Sequence, residues 1–368
     1  MIGASGQIGR PVVEALTRDG WAVTAASRGG GRDAAWDEGV RTARLDRADG
    51  AALARLVGDG CDLLVDMVAY DAGHARQLTG LADRIGSAVV LSSVAVYEDG
   101  AGRGFDTQGE PDGFPVYPVP VAETQPTVPP GAATYATRKA ALERELTAAG
   151  GGLPVTVLRA GAVHGPYSPL PREVYFVKRN LDGRRRRVLA HRGESRFHPS
   201  SARNIAELVR LAAARPGSRV LNACDGRPPT AAGIGAAIDA VMGVRTRTAY
   251  LDGPPAGSVG RSPWSVPLPV VFDMSAAERE LGYRPVVSYA ESLPETVEWL
   301  TGVLRGRDWR ACFPLLAQVF PDLFDYAAED AWLTAQAHGT GEGRPGGPAA
   351  PRHRGGAVRA WAWRAGRR

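Results

Sequence analysis

A chain of 368 residues with 44% hydrophobic content carries enough apolar surface for one large core or two linked ones, which excludes a disordered protein. The formal charge of +5 suggests nucleic acid until its distribution is read: residues 338–368 hold seven arginines against one glutamate, a net of +6, which leaves the other 337 residues at −1. Three scattered cysteines, Cys61, Cys224 and Cys312, fit neither a disulfide framework nor a zinc site, and no apolar run is long enough to span a bilayer, so a cytoplasmic protein without a structural metal is expected.

The first legible feature is the glycine run Gly3-Ala4-Ser5-Gly6-Gln7-Ile8-Gly9, followed by a helical pattern with Ile8, Val12, Val13 and Leu16 on one face. Glycines there permit a tight turn and let backbone N–H groups approach a pyrophosphate at the positive end of the helix. A plain glycine-rich loop is the alternative, but the strand pattern Trp21 to Ala26 that follows completes what a βαβ unit requires. Only Met1 and Ile2 are available for the strand that should precede the glycines, so the first strand is expected to be truncated, with a start several residues upstream as the working hypothesis.

Strand Trp21 to Ala26 ends at Ser27-Arg28, where an arginine suits a ribose 2′-phosphate better than a 2′-hydroxyl, so NADP is preferred over NAD unless Arg28 is an ordinary loop arginine. Thr42 to Leu45 reads as a strand ending at Asp46-Arg47, which could flank the adenine, and Leu63 to Ala69 as a further parallel strand. A helix over Ala72 to Ile85 leads to strand Ser87 to Leu91, ending at Ser92-Ser93. The Pro- and Gly-rich stretch from Glu98 to Gly131 reads as a loop or lid over the site.

Tyr135-Ala136-Thr137-Arg138-Lys139 comes next, on a helix whose apolar face carries Leu142 and Leu146, ahead of strand Val155 to Leu158. Positions i and i+4 share a helix face. The chain has only two lysines, Lys139 and Lys178, so 42 of its 44 basic residues are arginine and a lysine one turn from a tyrosine stands out. An ammonium beside a phenol favours the ionised form and makes Tyr135 a candidate acid/base. A surface pair on an amphipathic helix is the bland alternative.

The ordered set of glycine loop, Ser92-Ser93-Val94-Ala95-Val96-Tyr97, Tyr135-x-x-x-Lys139 and Leu158-Arg159-Ala160-Gly161-Ala162-Val163-His164-Gly165-Pro166 resembles the extended short-chain dehydrogenase/reductases, the NAD-dependent epimerase/dehydratase family. The likeness runs from residue 3 to about 304 and includes Val220-Leu221-Asn222-Ala223 with Thr230, and Phe272-Asp273-Met274-Ser275 with Leu281 to Pro285. It implies an α/β fold: a Rossmann-type doubly wound parallel sheet over 1–165, to which segments near 200–225 return, and a smaller α/β substrate unit with carboxyl-terminal helices over 166–337. It implies Tyr135 as acid/base, Lys139 lowering its pKa and holding the nicotinamide ribose, and Ser93, rather than Ser92, orienting the substrate oxygen. The implied cofactor set is Gly3, Ser5, Gly6, Gln7, Ile8, Gly9, Ser27, Arg28, Asp46 and Ala69, together with Tyr135 and Lys139. Three positions depart from the family pattern: Ala160 for proline, Asn204 for aspartate and Glu98 for glycine.

Where the family's 4,6-dehydratases carry an acidic pair after the catalytic hydroxyl, this chain has Val94 and Ala95, which disfavours elimination. Hydride transfer at a carbonyl or carbinol of a nucleotide sugar or small carbonyl compound is the first reading, and epimerisation with retained NAD is the second. A non-catalytic dinucleotide- or RNA-binding relative is the reading from another class. Arg196 is a substrate candidate, whereas Arg184 to Arg187 read better as a solvated turn, and Trp309 to Val319 and Leu323 to Ala337 as packing helices. The basic tail over 338–368 is expected to be disordered, with weak RNA or anionic-membrane contact as its functional alternative, and a homodimer is possible.

Overall fold

The computed structural model describes residues 1–148 and 152–339; the basic tail lies almost wholly outside the described residues. The amino-terminal half alternates helix and strand: α1 (Gly9–Arg18), β1 (Thr24–Ser27), β2 (Arg41–Arg44), α2 (Gly50–Val57), β3 (Cys61–Asp66), α3 (Ala72–Thr79), β4 (Ile85–Ser93), α4 (Tyr135–Ala148) and β5 (Val155–Ala160). After β5 come β6 (Ala162–His164), α5 (Val174–Leu181), β7 (Arg186–Leu189), β8 (Pro199–Ser201), α6 (Ala202–Ala214), β9 (Arg219–Ala223), α7 (Ala231–Val241) and β10 (Arg247–Tyr250). Helices α8 (Ser275–Leu281), α9 (Tyr289–Leu304), α10 (Trp309–Cys312), α11 (Pro314–Val319) and α12 (Tyr326–Gly339) close the described chain.

Local chemistry sets many of the helix starts. Asp49, Asp71, Ser201 and Thr230 accept a backbone N–H at the first turns of α2, α3, α6 and α7, and Ser288 with Glu291 forms a reciprocal capping box on α9. The expected helix from Ala72 to Ile85 stops at Thr79, with Gly80 at its end. A short 3₁₀ turn (Ala82–Arg84) then leads straight into β4, which begins at Ile85 itself.

Strands β3, β4, β5 and β9 pair in parallel in that order, and β1 pairs with β2. The two groups meet at one residue. Ile2 bridges Ala26 of β1 and Asp66 of β3, its N–H donating to Val65 O at 2.7 Å while Met67 N–H donates to Ile2 O at 3.2 Å. The doubly wound order β2-β1-Ile2-β3-β4-β5-β9 thus has a centre one residue long. Below it lies a cavity of ≈ 190 Å³ lined by Leu16, Val23, Thr24, Leu53, Cys61 and Leu63, among others. Strands β4 and β5 are buried on both faces, as parallel strands covered by helices on two sides must be.

The second unit contains two small parallel pairs, β6 with β8 and β7 with β10, packed with α5, α7 and α9 around Phe176, Trp264, Tyr289 and Leu300. Helix α12 is fixed to it by Glu329, which is 2% exposed and accepts from Val188 N at 2.8 Å and from Arg179 at 2.5 Å. Arg184 chelates Asp330, and Arg187 pairs with Asp239, so two of the four clustered arginines are structural tethers.

The stretch from 98 to 131 is a long connection, as its prolines and glycines indicate, and it is pinned at particular residues. Asp99 accepts from the backbone N–H groups of Ala101, Arg103 and Val116 and from the Arg103 guanidinium. Burial would raise its pKa, but those bonds hold it at about 2. Tyr117 donates to Tyr97 O at 2.8 Å, and Val121 bridges Phe272 in the second unit. The prolines and glycines serve turns in a segment held by its own hydrogen bonds.

Candidate active site

The glycine turn follows Ile2 directly. Gly3 has φ +80°, and a Cβ there would stand 2.7 Å from Val68 Cγ1; at Gly9 it would stand 2.1 Å from Gly3 O and 2.6 Å from Ala4 O. Only glycine lets α1 seat this closely on the turn. A bare backbone cradle of this kind at a helix start suits the pyrophosphate of a dinucleotide, so the residues present fit that group. Gln7 would contribute only main chain, because its Nε2 donates to Gly165 O at 3.1 Å across the crevice. Ser5 is exposed and Ile8 is buried.

Ser27 ends β1, with its Oγ accepting from Gly30 N at 3.1 Å, and Arg28 beside it is exposed. Asp46 is exposed at the end of β2 and accepts from Ala48 N. Arg47, expected with Asp46 near an adenine, is instead turned inward: its Nε donates to Asp66 Oδ2 at 2.5 Å and it also bonds Gln77 and His74 O. Asp66 is fully buried, and its other oxygen accepts from Val68 N and Ala69 N, so this ion pair fixes the chain as it leaves β3.

The structure brings Ser93, Tyr135 and Lys139 together at the carboxyl ends of β3 and β4. Ser93 hydrogen-bonds the Tyr135 phenol. Lys139 is 4% exposed and donates to Ala69 O at 2.6 Å and Leu91 O at 2.8 Å, with Nζ 5.9 Å from the Tyr135 ring centre. Burial pushes the phenol up to about 12, with Ser93 opposing and Tyr70 reinforcing the rise. Burial also lowers Lys139 to about 8, against the carboxylates of Asp66, Glu143 and Asp71. The amine donates to two carbonyls, and burial is the leading influence on both groups.

Ser92 is not available for substrate, since its hydroxyl donates to Glu143 at 2.5 Å and its side chain is buried. Glu143 chelates Arg159, 2.6 Å at the closest, and the guanidinium lies over the Tyr97 ring at 4.7 Å. This network joins α4 to β4 and β5 directly behind the triad. Its sequence signal was the four-residue step Tyr135, Lys139, Glu143 on one helix face. Tyr70 also went unread: it follows Ala69, and its ring centre is 5.8 Å from that of Tyr135.

Of the other singled-out residues, Arg196 is exposed and donates to Pro228 O at 2.7 Å. His164 and Asp225 form a buried pair at 2.7 Å, and Asn204, where the family pattern has aspartate, donates to Asp225 Oδ1 at 2.7 Å. Val94 and Ala95 are buried behind Ser93. Among the described residues no group of three or more His, Cys, Asp or Glu could hold a metal ion, and no helix is long and apolar enough to cross a membrane.

A Rossmann-type parallel sheet with a glycine turn at its centre is the fold of a dinucleotide-dependent enzyme of the short-chain dehydrogenase/reductase class, and half-buried Ser93 and Tyr135 with buried Lys139 lie at its carboxyl edge. The chain belongs to the NAD dependent epimerase/dehydratase family, whose model matches residues 1–224. Similar solved structures include UDP-glucose 4-epimerase from Thermotoga maritima with UDP-glucose, at 20% identity and TM-score 0.63, covering 82% of this chain and 98% of that one. Another is dTDP-glucose 4,6-dehydratase from Bacillus anthracis in complex with NAD, at 15% identity and TM-score 0.62, covering 82% and 95%. A third is UDP-N-acetylglucosamine 4-epimerase from Methanobrevibacter ruminantium with UDP-N-acetylmuramic acid, at 22% identity and TM-score 0.61, covering 82% and 97%. No curated protein matches the chain.

Proposed function

We propose that this protein reduces or oxidises a C–O centre of a nucleotide sugar or related carbonyl compound, with Ser93, Tyr135 and Lys139 as its catalytic set. The observation that carries the reading is the half-buried Tyr135 phenol, bonded to Ser93 and held one helical turn from Lys139 at the mouth of the dinucleotide crevice. A bound nicotinamide supplies the hydride acceptor or donor. Gly3, Gly6 and Gly9 would hold its pyrophosphate, Ser27, Arg28 and Asp46 the adenosine end, and Ala69 and Lys139 the nicotinamide ribose.

The chain's own residues then have defined tasks. Ser93 orients the substrate oxygen by hydrogen bonding, and Tyr135 exchanges a proton with that oxygen as its charge changes. A phenol held at about 12 is protonated at neutral pH, the form that donates a proton when a carbonyl is reduced. Arg28 at the end of β1 favours NADPH, and a dissociable NADPH again fits net reduction.

Epimerisation with retained NAD is the second reading, favoured by the epimerases among the similar structures. Elimination has less support, because Val94 and Ala95 offer no acid or base beside Ser93. A Tyr135→Phe variant tests the reading: it should bind dinucleotide as the parent does and lose about 10²–10⁴-fold in turnover on a panel of nucleotide sugars and carbonyls. Undiminished turnover in this variant refutes the acid/base role; turnover absent from both proteins, with tight RNA binding, favours the non-catalytic relative.

A further inference from the structure

Two contacts tie the glycine turn to residues 165–167, the segment that leads from β6 towards α5 of the second unit. Gln7 lies within the turn, and its Nε2 donates to Gly165 O at 3.1 Å. Arg10 lies at the start of α1, and its guanidinium carbon stands 4.0 Å from the ring centre of Tyr167. That guanidinium is itself held to the first unit, donating to Ser5 O at 3.1 Å and pairing with Asp33. The segment has a conformation that a tyrosine seldom takes: Tyr167 has φ +63°, in the left-handed region, two residues after Gly165 at +126°. Because Tyr167 is 51% exposed, burial offsets little of that backbone cost, and its contacts with Arg10 and, at 5.9 Å between ring centres, with Trp299 of α9 do so instead. A groove of ≈ 360 Å³ lined by Gln7, Arg10, Pro166, Tyr167, Ala202 and Glu207, among others, leaves open space next to the segment.

We propose that residues 165–167 form a strap, fastened to the glycine turn by Gln7 and Arg10, that must part for a dinucleotide to enter or leave and so sets the rate of cofactor exchange. The inference rests on the reading of the glycine turn as the pyrophosphate cradle and adds a control on that site. One of the two fastenings starts from the cradle itself, so a group seated on the main chain of the turn has the Gln7 side chain and its bond to Gly165 as immediate neighbours. Both fastenings join protein to protein and use no group of the ligand, so they cost the same to open whether the site is empty or loaded. Such a strap slows entry and exit by one factor and leaves affinity where it was. An exposed cation–π contact makes opening rarer by about 2–5-fold, and a hydrogen bond by about 2–10-fold. Slow exchange suits a retained dinucleotide, so the strap bears directly on the choice between net reduction and epimerisation.

Stopped-flow fluorescence of NADPH and NADH binding to the full-length protein gives both rate constants without turnover. Tyr167→Phe keeps the ring and should match the parent. Tyr167→Ala should raise association and dissociation together by about 2–5-fold with Kd unchanged, and the further change Gln7→Leu should bring both to about 10-fold or more above the parent. Gln7→Leu alone leaves Tyr167 and its packing in place and gives a second measure of the same effect should Tyr167→Ala fold poorly. A rise in dissociation alone, with weakened Kd, would mean that these side chains hold the ligand directly, and it overturns the strap; so do rates equal to the parent's in the single and double variants. A parent that binds neither dinucleotide overturns the cradle reading and the strap together, whereas failure of the strap alone leaves binding intact.

Discussion

The centre of the sheet offers the sharpest quantitative prediction. Extending the polypeptide ahead of Met1 by four β-branched residues would place a full strand between β1 and β3, where Ile2 now bridges Ala26 and Asp66. Filling the ≈ 190 Å³ cavity below Ile2 at about 24 cal/mol per Å³ sets a ceiling near 4–5 kcal/mol. Roughly six new ladder hydrogen bonds at about 1 kcal/mol each add a similar amount, and ordering four residues at about 1–2 kcal/mol each removes about 6 kcal/mol. The net gain is at most about 4 kcal/mol, which differential scanning calorimetry would register as a rise of up to several degrees in Tm.

The same extension changes a pH dependence. Met1's amino group donates to Thr24 O at 3.0 Å, and burial pushes its pKa below the usual 8.0. Between the lowered folded value and 8.0 the unfolded chain binds more protons, so stability should rise with pH through that window. Moving the amino group outward by four residues should abolish the rise. Because the new strand would feed directly into Gly3, dinucleotide affinity should tighten too. An extended protein with the same Tm, the same pH slope and the same affinity would refute this account of the gap.

Three further outcomes follow from particular contacts. Glu143→Leu would leave the Arg159 guanidinium buried without its carboxylate and should cost about 3–5 kcal/mol in urea denaturation; a loss below about 1 kcal/mol would mean that the guanidinium finds solvent. Burial opposes charge on His164, but the Asp225 carboxylate prevails and raises its pKa, while Asp225, against the same burial, is lowered chiefly by His164. The His164 contribution is complete below 6.5 and declines as pH rises through its folded value; the Asp225 contribution is complete above 3.8 and declines as pH falls through its own. Stability should therefore be greatest between those limits, and His164→Gln should flatten the upper limb of a Tm-against-pH curve. Arg28→Ala should weaken NADPH binding by about 10-fold or more, as loss of a charge-assisted bond implies, and leave NADH unchanged in calorimetric titrations; equal loss for both would remove the case for NADP.

Periodicity and end signals made much of the first unit legible before any coordinates. The α1 face of Val12, Val13 and Leu16 is buried as its spacing requires, and Val155 to Leu158 lies inside the fully buried strand that its apolar run indicates. The boundaries that slipped were those where one residue type serves two states, as at Gly80, which ends α3 several residues before the pattern fades. In the stretch from 98 to 131, proline and glycine mark turns without telling whether the turns are pinned. That depends on Asp99 finding four donors, three of them on residues four or more positions away.

The sequence by itself determined the kind of chemistry: a glycine cradle, a tyrosine one turn from a scarce lysine, and serines at a strand end are local patterns, and local patterns fix which groups share a turn or a helix face. Tertiary structure alone decided what each group does there. It sent Arg47 to Asp66, Ser92 to Glu143 and the Lys139 ammonium to two carbonyls, and it set Tyr70 against Tyr135. Those assignments depend on which partners reach one buried point from distant parts of the chain, and the cost of leaving a charge or donor unpaired in that interior, which no linear spacing encodes, selects among them.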